Sequence, residues 1–151
     1  INMDSQAPNA AAAQWLRGGG LGALEALRPE TVHGDSRFDF SFIREGRTCF
    51  LEVKGVTLEQ DGIALFPDAP TLRGVKHLQE LTACQQAGIP AYLLLVIQMK
   101  EIRAFRPNDA MHPQFGEALR QAAAAGVTLL ARDCIVTPDS ITIDAPVPIQ
   151  L

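Results

Sequence analysis

Seven consecutive apolar residues, "AYLLLVI" from Ala91 to Ile97, restrict the fold of this chain more than any other stretch. The run is far too short for a bilayer, which needs about 20 apolar residues in one helix. It also lacks the in–out alternation of a strand with one wet face. It therefore reads as a central strand covered on both sides, which requires a sheet with helices packed on it. The flanking residues agree. Residues 72–87 place Leu72, Val75, Leu78 and Leu81 on one helical stripe, stopped by Gly88 with Pro90 beyond. Residues 108–125 read mainly as helix, ending at Gly126. "VTLLARDCIV" then reads as a strand, and "TPDS" (Thr137 to Ser140) turns the chain into a last one, "ITID".

Before the apolar run, residues 1–9 read as an irregular lead-in, with Asn9 as N-cap of a helix over Ala10 to Leu16. "RGGGLG" interrupts that helix, and Leu21, Leu24 and Leu27 suit one face of a second helix stopped by Pro29. From Phe38 the period changes to two: Phe38, Phe40 and Phe42 alternate with Asp39, Ser41 and Ile43. Thr48 to Val56 continues in β-type residues, and Glu45-Gly46 is a short turn between the two runs. Further extended pieces are expected over residues 62–66 and 102–105, and Asp68 or Thr71 as a cap for the helix that follows "FPDAPT". The whole order predicts an α/β fold, a mixed β-sheet flanked by helices.

A two-residue turn at Glu45-Gly46 makes paired residue numbers sum to 91, so Asp39 would face Glu52 and Arg37 would face Lys54. Asp39, Glu52 and Lys54 would then share one side of the sheet. Opposed carboxylates repel. Either one stays protonated or a cation sits between them. A Mg²⁺ ion, which takes oxygen ligands, would suit the pair, and a neighbouring lysine could activate water or steady a phosphate. The plainer alternative is an exposed strand face on which Glu52 and Lys54 neutralise each other.

Composition narrows the field. The 151 residues suit one domain, and a net charge of −4 counts against a general polyanion-binding surface. The three cysteines, Cys49, Cys84 and Cys134, have no metal-like spacing and read as reduced, buried thiols of a cytoplasmic protein. No secretory signal and no membrane span is expected. The chain opens on Ile1, so a partner domain outside it is expected. Arg73, Lys76 and His77 fall at i, i+3 and i+4, a candidate phosphate-binding helix face or simply a solvated one. Arg37 could meet a phosphate or pair with Asp35 or Asp39. His33 and His112 have no partners at zinc-ligand spacing, and Gly18 to Gly20 lack the G-x-G-x-x-G form and the lysine of a nucleotide loop.

Three blocks, "GDSRFDF" (Gly34 to Phe40), "FLEVKGVTL" (Phe50 to Leu58) and "ALFPDAPTLRGVKHLQEL" (Ala64 to Leu81), closely resemble the sugar fermentation stimulation protein family, SfsA. The resemblance implies a nuclease-like PD-(D/E)xK domain over residues 10–151, with residues 1–9 leading in from an N-terminal OB-like domain. It implies a cytoplasmic, DNA-binding protein linked to regulation of sugar metabolism. Asp39 and Glu52 would hold Mg²⁺, with the Val53 carbonyl as a third ligand and Glu30, at the end of the first helical region, assisting. Lys54 would position the attacking water, while Arg37, Arg73, Lys76 and His77 would contact DNA phosphate. Three positions depart from the family pattern: Gly55 stands where serine is usual, Leu72 where glutamate is usual, and Val32 where a basic residue is common. A silent nuclease fold acting as a DNA-binding regulatory module is the alternative.

Overall fold

The computed structural model describes residues 6–151. Its centre is a six-stranded mixed sheet of β1 (Glu25–His33), β2 (Ser36–Arg44), β3 (Arg47–Val56), β6 (Ala91–Ile97), β8 (Thr128–Val136) and β9 (Ile141–Pro146), in that spatial order. β3, β6 and β8 run parallel, while β1 and β2 on one side and β9 on the other are antiparallel to their neighbours. A second, three-stranded sheet holds β4 (Leu58–Gln60), β5 (Ile63–Phe66) and β7 (Ala104–Pro107).

The apolar run is β6, and each of its seven residues is buried. Its alternate side chains face two different cores. Leu93, Leu95 and Ile97 pack with α2 (Leu72–Gln86) and α3 (Pro113–Ala125), whereas Leu94 and Val96 pack with α1 (Gln6–Arg17). Helices therefore cover both faces of the centre, as an unbroken apolar strand demands. Thr71 caps α2, its hydroxyl accepting from the Gly74 amide at 2.9 Å. The cysteines are free and buried, and burial pushes the Cys134 thiol up to about 12, so it stays an unreactive core group.

Two N-terminal expectations fail. Helix α1 already includes Gln6 to Asn9, so of the expected lead-in only residues 1–5 lie outside the described residues. Pro8 fits because the first-turn amides of a helix have no partner within it. The second helix does not form. "RGGGLG" instead folds back over Trp15, so closely that a Cβ at Gly20 would lie 2.1 Å from the indole. The chain then enters β1, an edge strand, where Pro29 is tolerated because one edge has no ladder to break. Leu24 and Leu27 pack on the α1-side core from this irregular edge, so their three-residue spacing mimicked a helix.

Candidate metal and phosphate site

The predicted register holds over the hairpin, from Arg44 opposite Arg47 to Phe40 opposite Leu51. It stops there. Asp39 is not in the ladder with Glu52, and Arg37 pairs with Val32 on β1 rather than facing Lys54. The reason is a division of partners. β3 stays with β6 as far as Val56, while β2 leaves β3 and remains with β1. The faces of β2 also change over at this point: Phe38 joins the α2 and α3 side, stacked on Phe50 at 4.8 Å, whereas Phe40 and Phe42 join the α1 side. Simple alternation thus fails at Asp39, and the gap between the strands becomes a cleft.

Side chains take over the missing ladder bonds. The Val53 amide donates to Asp39 Oδ2 at 2.7 Å, and the Asp39 amide donates to Glu52 Oε1 at 3.3 Å. Asn9 Nδ2 of α1 donates to Asp39 Oδ1 at 3.0 Å. From α2, His77 Nδ1 lies 2.8 Å from Glu52 Oε2 and 2.6 Å from Lys54 Nζ, while Lys54 and Glu52 are 3.7 Å apart. One ring nitrogen cannot donate to Glu52 and accept from Lys54 at once. The tautomer of His77 therefore decides which of the two it bonds.

Burial dominates the electrostatics of Asp39 and Lys54. Burial, and next the Glu52 charge, push the Asp39 carboxyl above its usual range, against the lowering pull of the Val53 amide, Asn9 and Lys54. Burial likewise pushes the Lys54 ammonium down, against the pull of Glu52 and Asp39. Glu52 itself is only 4% exposed. A divalent cation is a physical remedy for such a pair. The available donors are hard oxygens, two carboxylates with the Val53 carbonyl beside them, which suit Mg²⁺ or Ca²⁺ with water completing the shell. Among the described residues no group of three or more His, Cys, Asp or Glu side chains is assembled for a metal.

A cleft of about 680 Å³ gathers most of the sequence candidates: Glu30, Arg37, Asp39, Glu52, Val53, Lys54, Arg73 and His77. Glu30 comes not from a helix end but from edge strand β1, where its φ of 52° marks an irregular backbone. Lys76 does not line this cleft. It lines a separate pocket with His33 and Glu80, so the helix face is split between two surfaces. Sequence reasoning missed several polar residues of the cleft. Asn9 was read as a cap but binds Asp39, Asp68 was read as a cap but lines the cleft, and Gln98 carried no local signal. Of the departures from the family pattern, Leu72 is 82% exposed on the first turn of α2 and Val32 is exposed on β1.

Comparison with known proteins agrees with this architecture. The model of the "Sugar fermentation stimulation protein RE domain" matches residues 6–140. A sugar fermentation stimulation protein homolog of Desulfitobacterium hafniense (strain Y51) is 53% identical over 141 residues, 93% of this chain and 62% of that protein. A homolog from Clostridium beijerinckii is 49% identical over 144 residues, 95% of this chain and 64% of its own length. The chain thus spans somewhat under two thirds of these relatives. The solved structure of Pyrococcus furiosus SfsA in complex with Ca²⁺ superposes with a TM-score of 0.91 at 22% identity, covering 99% of this chain and 66% of that one. At that identity the likeness speaks for the fold. No helix among the described residues is long and apolar enough to cross a membrane. With its family model matched over most of its length and relatives this similar, the chain belongs to the sugar fermentation stimulation protein (SfsA) family.

Proposed function

We propose that this chain is a DNA-binding, nuclease-like domain that holds a divalent cation, Mg²⁺ by choice, and hydrolyses phosphodiester bonds. The observation that carries the reading is the convergence of Asp39 and Glu52 at the gap between β2 and β3, where burial and mutual repulsion leave Asp39 reluctant to ionise. The Ca²⁺ named with the Pyrococcus structure supports a hard cation in this fold. Asp39 and Glu52 would hold the ion with the Val53 carbonyl, and Glu30 would assist from the rim. Bound there, the cation would neutralise the acids and polarise a phosphate. Lys54, whose ammonium burial already destabilises, would exchange a proton with the attacking water. Drawing Glu52 toward a cation would free His77 Nδ1 to accept from Lys54, which fixes the lysine's aim. Arg73 and Arg37 of the same cleft would hold phosphate oxygens. The net charge of −4 makes this domain a weak DNA binder alone, so an OB-like domain outside the chain would supply much of the affinity.

The test is DNA cleavage with and without Mg²⁺ by the wild type and by Asp39→Ala. We expect cleavage by the wild type only with Mg²⁺, and none by the variant. Equal cleavage by both would remove the assigned site. A second reading draws on the departures at Leu72 and Val32, exposed apolar residues where the family usually carries a glutamate and a basic residue. On that reading the fold is a DNA-binding regulatory module of sugar metabolism without turnover. It predicts DNA binding that survives EDTA and no cleavage of any DNA form.

A further inference from the structure

Gln98 follows directly after β6, and its backbone N–H donates to the Val56 carbonyl at 2.9 Å, where the parallel ladder with β3 ends. Its side chain lines the same cleft as Asp39, Glu52 and Lys54. The side-chain oxygen Oε1 is buried with no hydrogen-bond partner among the described residues. A buried orphan acceptor costs about 1–3 kcal/mol. Packing limits where the amide can lie. A Cβ built on Gly55 would lie 2.7 Å from Gln98 Nε2 and 2.6 Å from Pro8 Cγ. The amide nitrogen therefore occupies space that opens only because residue 55 has no side chain. It sits one residue beyond the Glu52-Val53-Lys54 triplet. With Oε1 buried, the NH₂ is the end that this cleft-lining side chain has left to offer an occupant.

We propose that Gln98 Nε2 is a phosphate-holding donor, giving its hydrogen bond to a non-bridging oxygen of a DNA phosphodiester seated over Asp39 and Glu52. The inference rests on the nuclease-like reading and assigns this residue a part in it. A donor that faces the cleft needs an acceptor from the occupant, and phosphate oxygens are acceptors only. Lys54 is spoken for by His77 and Glu52, so it is a poor first contact for phosphate. A neutral amide can grip an anion without repelling a cation held by the adjacent acids, which another lysine would do. On this account Gly55, where serine is usual in the family, does not weaken the site. It makes room for the amide.

The experiment measures two affinities on the full chain: labelled duplex DNA by fluorescence anisotropy with Ca²⁺ present, and Ca²⁺ alone by calorimetry. Gln98→Leu removes the donor and the orphan oxygen while keeping bulk. It should bind DNA about tenfold more weakly, the loss of one hydrogen bond to a charged group, with Ca²⁺ affinity unchanged and a melting temperature no lower than wild type. Gln98→Glu should bind DNA more weakly still, because it sets an acceptor and a charge against phosphate. Wild-type DNA affinity in Gln98→Leu would overturn this inference alone. So would unimpaired DNA binding with tighter Ca²⁺ binding in Gln98→Glu, since the cleft side would then serve the cation. A wild type that binds no DNA would overturn both this inference and the reading it rests on.

Discussion

Two clusters in this molecule are built from the same parts, two carboxylates and a lysine brought together by the sheet, and they behave in opposite ways. At the β8–β9 edge, Lys100 Nζ lies 3.2 Å from Asp133 and 2.5 Å from Asp144. Asp133 also accepts from the Ala145 amide at 2.8 Å, beside the register shift between β8 and β9. The hydrogen bond to Asp144 raises the Lys100 pKa, burial opposes it, and the bond to Asp133 adds to the rise. In the cleft, Lys54 stands 3.7 Å from Glu52, touches His77 and is pushed down by burial, while Asp39 is pushed up. The first cluster satisfies itself and acts as a strut. The second holds a carboxyl and an ammonium whose charged forms burial disfavours. Residue types in proximity do not make a site. What separates the two is whether the lysine can reach both acids, and how far water is excluded.

The comparison breaks most directly under added cation. Raising Mg²⁺ or Ca²⁺ to a hundredfold above its dissociation constant should stabilise the wild type by about 2.7 kcal/mol, read as a rise in melting temperature. Asp39→Ala should abolish that rise, and Lys100→Met should leave it whole. A rise that survives Asp39→Ala would place the ion elsewhere.

A smaller effect concerns the proton. The carboxyl of Asp39 has a folded pKa raised above its ordinary 3.8. Its contribution to stability is therefore present below that ordinary value and is lost as pH rises through the folded one. At neutral pH without metal, the charged Asp39 works against the fold. Asp39→Asn keeps one acceptor oxygen for the Val53 amide and should raise the melting temperature by about 2–4 °C at pH 7, with the gain vanishing toward pH 3. A lowered melting temperature at pH 7 would mean that its hydrogen bonds outweigh the buried charge.

The smallest effect belongs to the strut. Lys100→Met should lower the melting temperature slightly at neutral pH and low salt, and less in high salt, because the pair is solvent-screened. Lys100 has a raised folded pKa, so its contribution is whole below the ordinary lysine value and fades as pH rises through the folded one. Insensitivity to pH above 10 would reduce the strut to packing.

Much of this could be read along the chain because it is local. The burial of β6 follows from seven apolar residues in a row, and the hairpin register from Arg44 to Leu51 follows from one short turn. The cap at Thr71 and the stops at Gly88 and Gly126 are properties of a few adjacent residues. The family blocks around Asp39, Glu52 and Lys54 are equally local. Where the reading failed, a distant element had intervened. Leu24 and Leu27 kept helical spacing, but an open sheet edge took them. Asn9 looked like a cap and instead reached an acid 30 residues away.

The amino-acid order thus named most of the strands, β1 excepted, and most of the charged residues that meet in the cleft. It did not say how they meet. Local period and turn chemistry depend on neighbours within a few positions, so they survive without a fold. The departure of β2 from β3, the nesting of His77 between Glu52 and Lys54, and the placing of Gln98 beside Gly55 each depend on packing between distant segments. Burial and charge acquire their magnitudes only there, since the dielectric around a carboxylate is set by whatever the rest of the chain stacks against it.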